Sequence, residues 1–449
     1  MSPMTRTKLP PGPRAPSPVQ SLGWWARPVS FIERARARYG NTFTVRLTAQ
    51  EPFVMLSDPD DLKAVFTADP DVLHPGEGAR ILEPIVGPTS ILLLDGDRHM
   101  SQRKLVLPAF HGSRMEALRD VVAEVARREI EGWPRDRSQP LHPHLQQLTL
   151  KAIMRAVFGL GEGGRLDRLS RLLTEMLDFG TSPLSLLPPL QRDGIPFGTW
   201  RAFAAAREEA DREIYELIAE RREAGDAEKG DDVLSTLLLA RHEDGEPMRD
   251  DEIRDELLTL LVAGHETTAT ELAWAFERLI RTPDVLRSLV AEIDAGRDEY
   301  VRATINETLR RRPVLLIAQP RRVVEGFELG GYTYGPGVHL APNAYLVQHD
   351  PEIYPDPYAF RPERFLDSDP GTYTWIPFGG GRRRCIGASF AQLEMAIVLR
   401  ALLMRTELRA ADGGVEFSRR RAITVSPSAG ARAVLRTRDP VPAAEPATT

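Results

Sequence analysis

The sequence has a single cysteine and only five lysines among 449 residues. One cysteine excludes an intrachain disulfide, so the fold needs no oxidising compartment. Arginine supplies the remainder of the 58 basic residues, a bias that fits a GC-rich bacterial gene. No apolar run approaches the roughly 18 residues that a membrane-spanning helix needs. The first 30 residues lack the apolar core of a signal peptide. These absences predict a cytoplasmic protein without a membrane anchor. The formal net charge of −6 argues against bulk binding to nucleic acid. With 42% hydrophobic and 27% charged residues, the composition is that of a chain with a large core.

What is present converges on FGGGRRRCIG at 378–387, which holds the lone Cys385. An amphipathic helical pattern follows from Gly387, so the sulfur lies where a loop becomes a helix. A helix N-terminus and neighbouring arginines both favour thiolate, which predicts an acidic thiol. Gly379, Gly380 and Gly381 allow a tight turn and close approach to a flat, bulky group. Taken locally, the loop fits a structural cysteine, a nucleophile, a metal ligand or a haem ligand. A nucleophile needs a histidine base, and none is near in sequence. The Walker spacing of a phosphate loop is absent.

Residues 250–281 form the longest helical pattern, with Asp250 as the expected N-cap and Thr282-Pro283 as the stop. From Leu257 to Ala263 it is apolar on nearly every side apart from Thr259, which predicts burial. Into this run falls AGHETT at 263–268, costly in a buried helix interior. The Thr267 hydroxyl can bond back to the Ala263 carbonyl and loosen the helix, while Gly264 leaves space. The alternative is a kink whose polar groups are all satisfied.

Weaker signals lie on either side. His99 and Arg103, four apart, share a helix face. So do Glu307 and Arg310, although Glu33/Arg36 and Glu124/Arg127 have the same spacing. Thr42–Leu47 and Pro52–Leu56 read as paired strands, with helices expected over Ser30–Tyr39, Asp58–Thr67 and 199–223. Residues 1–28 read as a Pro-rich extended arm, 406–437 as short strands, and 438–449 as a disordered tail.

The spacing Phe378-x-x-Gly381-x-Arg383-x-Cys385-x-Gly387 resembles the haem-binding loop of the cytochrome P-450 enzymes, the haem-thiolate monooxygenases. Ordered segments along residues 30–437 resemble the same family. AGHETT resembles its oxygen-activating acid–alcohol pair, which implies catalytic roles for Glu266 and Thr267 beside haem-contacting Ala263 and Gly264. Glu307, Arg310 and Arg364 (in FRPERF) resemble its buried charge network under the cysteine loop. His99, Arg103, Arg383 and Arg321 match residues that bind haem propionates, with Arg322 as the competing match. Ser182–Gly198 and residues 73–94 resemble its substrate-closing segments.

The resemblance implies a mainly α, single-domain triangular fold with a small β-rich lobe over 29–437. It implies haem b ligated by Cys385, with Phe378 and Gly387 shaping the loop. The implied reaction inserts one oxygen atom of O2 into a lipophilic small molecule, by hydroxylation or epoxidation, in secondary metabolism. Electrons are expected from an external NAD(P)H-dependent system, a ferredoxin and its reductase, docking on Arg382 and Arg384. A haem-thiolate peroxygenase or isomerase, or a non-catalytic haem sensor, are the alternatives.

Overall fold

The structure is a computed structural model that describes residues 8–161, 163–181, 199–411, 414–421 and 423–438. The Ser182–Gly198 segment and residues 439–449, read above as a lid and a tail, lie outside them. Helices α1 (Ser17–Ala26), α2 (Pro28–Tyr39), α3 (Pro59–Thr67), α4 (Pro75–Gly78) and α5 (Glu83–Val86) lead into α6 (Gly96–Val106), α7 (Ser113–Glu131) and α8 (His142–Phe158). Next come α9 (Gly164–Thr181), α10 (Thr199–Ala224), α11 (Val233–Leu239), α12 (Asp250–Arg281), α13 (Pro283–Asp294) and α14 (Glu299–Arg311). The last two are α15 (Ala344–Gln348) and α16 (Ala388–Leu403).

Local signals explain many boundaries. Asp58 caps α3 by accepting from the Asp60 N–H at 2.9 Å, and Pro59 opens the helix where no N–H is needed. In α12 the cap is Arg249 rather than the expected Asp250. Glu252, three residues into the helix, reaches back to accept the Arg249 N–H at 2.9 Å. Three acids in its first turn and two arginines in its last complement the helix dipole.

The Pro-rich start is not extended throughout, because α1 occupies Ser17–Ala26. Its prolines stand at the helix entrance, where they are tolerated. Burial of Trp24 and Gln20 then docks the helix, and Arg420 stacks over Trp24 at 4.4 Å.

The strands are short: β1 (Thr42–Val45), β2 (Phe53–Leu56), β3 (Leu73–His74), β4 (Ser138–Pro140), β5 (Arg321–Val323) and β6 (Phe327–Leu329). After them come β7 (Tyr332–Tyr334), β8 (His339–Pro342), β9 (Thr406–Ala410), β10 (Ser418–Arg421), β11 (Thr424–Pro427) and β12 (Arg432–Thr437). The largest sheet has the order β1-β2-β8-β5-β3, with only β2–β8 parallel. Strands β4, β12 and β9 form a second sheet, and β10–β11 and β6–β7 are hairpins.

The main core joins α7, α8, α12 and α16, and a second apolar cluster lies under the five-stranded sheet. This is the expected mainly α architecture with a small β lobe. Helix α12 runs through it against α8, α10, α14 and α16. Among the described residues no helix is long and apolar enough to cross a membrane.

Candidate active site

The cysteine loop is closed by its own backbone, since the Cys385 N–H donates to the Phe378 carbonyl at 2.9 Å. Phe378 packs edge-on against Trp375, with ring centroids 5.9 Å apart. Gly379 and Gly381 adopt φ of +68° and +64°. The glycines do approach a flat group closely, but that group is Phe66 of α3. A Cβ on Gly380 would come within 2.7 Å of the Phe66 ring, and one on Gly381 would strike the Phe66 carbonyl. Helix α16 begins three residues after the cysteine, with Gly387 as its N-cap.

Cys385 is open to a water-sized probe although protein surrounds it. The thiol is thus accessible at its surface yet enclosed by protein on most sides. Burial pushes its pKa up, and the Gly387 N–H, Arg103 and Arg384 pull down less strongly. The expected acidic thiol is therefore not met by the protein alone. Loss of water around the sulfur outweighs the helix terminus and the arginines.

Across the molecule, Ala263 is exposed in the middle of α12, while Leu260 and Leu261 beside it are buried. The Thr267 hydroxyl donates to the Ala263 carbonyl at 2.6 Å, as the spacing predicted. At Gly264 a Cβ would stand 3.1 Å from Ile153 of α8, so the glycine also allows close helix–helix approach. The open side of the helix is at Ala263.

Glu266 turns toward α8 rather than toward Thr267. Its Oε2 accepts from Gln146 at 2.6 Å, and its Oε1 from Thr270 at 3.3 Å. Arg421 of β10 pairs with Oε1 at 3.3 Å. Nearby His142 Nε2 donates to the Thr270 hydroxyl oxygen at 3.0 Å, since the hydroxyl proton points to Glu266, and burial first, then Arg421, lower its pKa to about 4.

His99, Arg321 and Arg383 line one cavity of about 40 Å³, beside Phe66 and Asp95. Arg322, the next residue in β5, points the other way and pairs with Glu51 at 3.0 Å and Glu77 at 2.8 Å. Strand alternation separates the two arginines. Burial lowers the pKa of Arg321 to about 9 and of Arg383 to about 10, with Arg383 also repelling Arg321. His99 falls to about 3 through burial, then Arg383 and Arg103, so it is a neutral donor at physiological pH. Among the described residues the one carboxylate lining this cavity is Asp95, 2.7 Å from Arg383. Arg103, whose charge also reaches His99, donates to the Arg384 carbonyl at 2.8 Å.

The Glu307–Arg310 pair lies under the loop, both side chains fully buried, at 2.6 Å and in two parallel hydrogen bonds. Arg310 also donates to the Gln348 and Pro357 carbonyls, and Arg364 reaches Glu307 at 3.6 Å. Sequence reasoning missed Phe66, Asp95, Gln146, His142 and Arg421. Only Asp95, next to Gly96 at a helix entrance, carries a local signal.

These residues fit a haem. An exposed thiol and an exposed Ala263 carry no polar or steric explanation of their own inside a protein core. A Cβ on Gly387 would meet nothing within 4 Å. Four cationic or donor side chains (His99, Arg321, Arg382 and Arg383) around one small cavity with a single carboxylate suit an acidic group from outside the chain.

Solved structures share this architecture. The retinoic acid-bound cyanobacterial CYP120A1 aligns with a TM-score of 0.82 at 22% identity, covering 96% of this chain and 100% of that one. The haem domain of cytochrome P-450DA gives 0.82 at 21%, covering 96% and 98%. The fold is thus that of the haem-thiolate proteins.

A profile described as Cytochrome P-450 matches residues 10–430. A Mycobacterium tuberculosis protein provisionally named cytochrome P-450 135B1 is 38% identical over 446 residues, 98% of this chain and 94% of its own length. Another from Mycobacterium bovis, provisionally cytochrome P-450 138, is 39% identical over 432 residues, 96% and 97% of the two chains. The chain belongs to the cytochrome P-450 family. It is accordingly a haem-thiolate monooxygenase, an oxidoreductase that takes electrons from redox partners.

Proposed function

We propose that this enzyme inserts one oxygen atom of O2 into a lipophilic small molecule of secondary metabolism, by hydroxylation or epoxidation, in the cytoplasm. The observation that carries the site assignment is the accessible Cys385 enclosed by protein, together with an accessible Ala263 midway along an otherwise buried stretch of α12. The catalytic domain expected over 29–437 extends back to α1, since Trp24 belongs to the same apolar cluster as Ile32 and Val425.

Cys385 is the iron ligand. Haem held there supplies a metal that activates dioxygen, with electron density donated by the thiolate. Haem b is favoured because the lone cysteine leaves no second thiol for covalent attachment. Arg321 and Arg383 hold the propionates as charged donors, and His99 as a neutral one. Arg103 acts beside the loop, where its charge offsets that of the thiolate. Ala263 gives the flat group clearance against α12.

Thr267 orients a water at its hydroxyl oxygen, whose proton is committed to the Ala263 carbonyl. Glu266 relays protons inward from solvent, its carboxylate held by Gln146, Thr270 and Arg421. Exposed Arg382 and Arg384 steer an acidic ferredoxin, which an NAD(P)H-dependent reductase recharges.

The test is the carbon monoxide difference spectrum of the reduced, haem-loaded protein. A strongly red-shifted Soret band is expected, lost in Cys385→Ser. A band at the histidine-ligated position would remove Cys385 as ligand. Thr267→Ala separates monooxygenase from peroxygenase chemistry. Product per electron should fall and peroxide release rise, whereas unchanged coupling would favour the peroxygenase.

A further inference from the structure

The first turns of α12 grip the segment over residues 87–92 by its main chain. Asp255 Oδ2 accepts from the Thr89 N–H at 2.9 Å and from the Thr89 hydroxyl at 2.7 Å. Glu256 Oε1 accepts from the Ile91 N–H at 2.8 Å and from Gln102 at 3.0 Å. The Ser90 and Thr259 hydroxyls are 2.6 Å apart. Gly87, at φ +84°, passes so close that any side chain there would strike the Asp255 carboxylate. On its other side the segment is held from the cavity of His99 and Arg321. Arg383 donates to the Ile91 carbonyl at 3.2 Å and to that of Leu94, and Gln319 to that of Leu92 at 3.2 Å.

Asp255 has a second partner that leads elsewhere. Arg254, only 3% exposed, donates to Asp255 Oδ1 at 2.8 Å and to Asp211 Oδ1 of α10 at 2.7 Å. The chain Thr89–Asp255–Arg254–Asp211 therefore joins the segment, α12 and α10. Arg254 and Asp255 are both buried, so neither loses a partner cheaply. Withdrawal of Asp211 leaves the guanidinium leaning on Asp255 alone, and the contacts to Thr89 must adjust.

We propose that Asp255 is a positioning residue for the substrate cavity. It sets the wall over 87–92, and through Arg254 it makes that wall follow α10. This rests on the reading that the space beside α12 receives the substrate.

The variants are Asp211→Asn, at a partly exposed side chain that the fold tolerates, and Thr89→Val. Hydrogen–deuterium exchange of the haem-loaded enzyme reads the link. In Asp211→Asn, exchange at the Thr89 and Ile91 amides should rise about tenfold while peptides of α8 stay unchanged. Unchanged protection over 87–94 would overturn the proposal.

Dissociation of 4-phenylimidazole gives a second readout. Each single variant should speed release about fivefold, and the double variant no more than the faster single one. Multiplying effects would mean that the two walls move independently, which also overturns it. The carbon monoxide band is recorded on each variant. Its loss marks a failure of the haem-thiolate reading, whereas an intact band with unchanged exchange sinks only the Asp255 link.

Discussion

Two buried charge clusters flank the cysteine loop, and they are built on opposite plans. Glu307 and Arg310 neutralise each other in two hydrogen bonds, with backbone carbonyls taking the spare guanidinium donors. Arg321, Arg383 and His99 surround one cavity with Asp95 as the lining carboxylate. The Glu307–Arg310 pair is satisfied within the chain, as the proposed brace under the loop requires. The second carries surplus positive charge and depressed pKa values, and an anion from outside relieves both. Charge balance therefore distinguishes the proposed scaffold from the proposed binding site more clearly than burial does, because Arg310 and Arg321 are both buried.

The largest effect should come from breaking the balanced pair. Arg310→Leu strands the Glu307 carboxylate in the core and should cost about 3–5 kcal/mol. Denaturant unfolding of the haem-free protein reads this directly. A loss under 1 kcal/mol would mean that the pair is not the brace.

The opposite outcome is expected at Arg321. Arg321→Leu should leave haem-free stability unchanged or slightly raised, and weaken haem binding about tenfold, as one charge-assisted hydrogen bond implies. Arg322→Leu is the control, with haem affinity unchanged in a haem-transfer assay. Equal losses from both would erase the distinction that strand alternation draws.

The last effect is read as a slope rather than a single loss. Burial raises the pKa of Glu394 on α16 from 4.5 to about 8, and Glu256 is raised to about 8 for the same reason. In the unfolded chain each is ionised above about 4.5, while in the fold it keeps its proton until about 8. The folded state binds more protons in that window, so stability falls as pH rises through it. Glu394→Gln should flatten the decline by at most about 1.4 kcal/mol per pH unit. An unaltered slope between pH 5 and 8 would remove Glu394 as a source of it.

Much of this was readable in one dimension. The span of α12 came directly from its periodicity and Thr282-Pro283 stop, and the Thr267–Ala263 bond from a four-residue spacing. Glu307 and Arg310 are likewise one helical turn apart. Other assignments needed the third dimension. The extended reading of residues 17–26 failed because burial of Trp24 is a tertiary event. The glycines at 379–381 invited a flat partner, and Gly380 and Gly381 lie hard against Phe66, more than three hundred residues earlier.

By itself, the sequence determined which residues share a helix face, where helices stop, and which lone thiol sits at a loop–helix junction. These follow from a fixed rise and turn per residue and from backbone limits at Pro and Gly. Only the tertiary structure decided which arginine of the 321–322 pair turns inward, that Glu266 faces α8, and that burial outweighs cation effects at Cys385. Desolvation and charge pairing depend on neighbours far apart in the chain, and those neighbours exist only once the chain has folded.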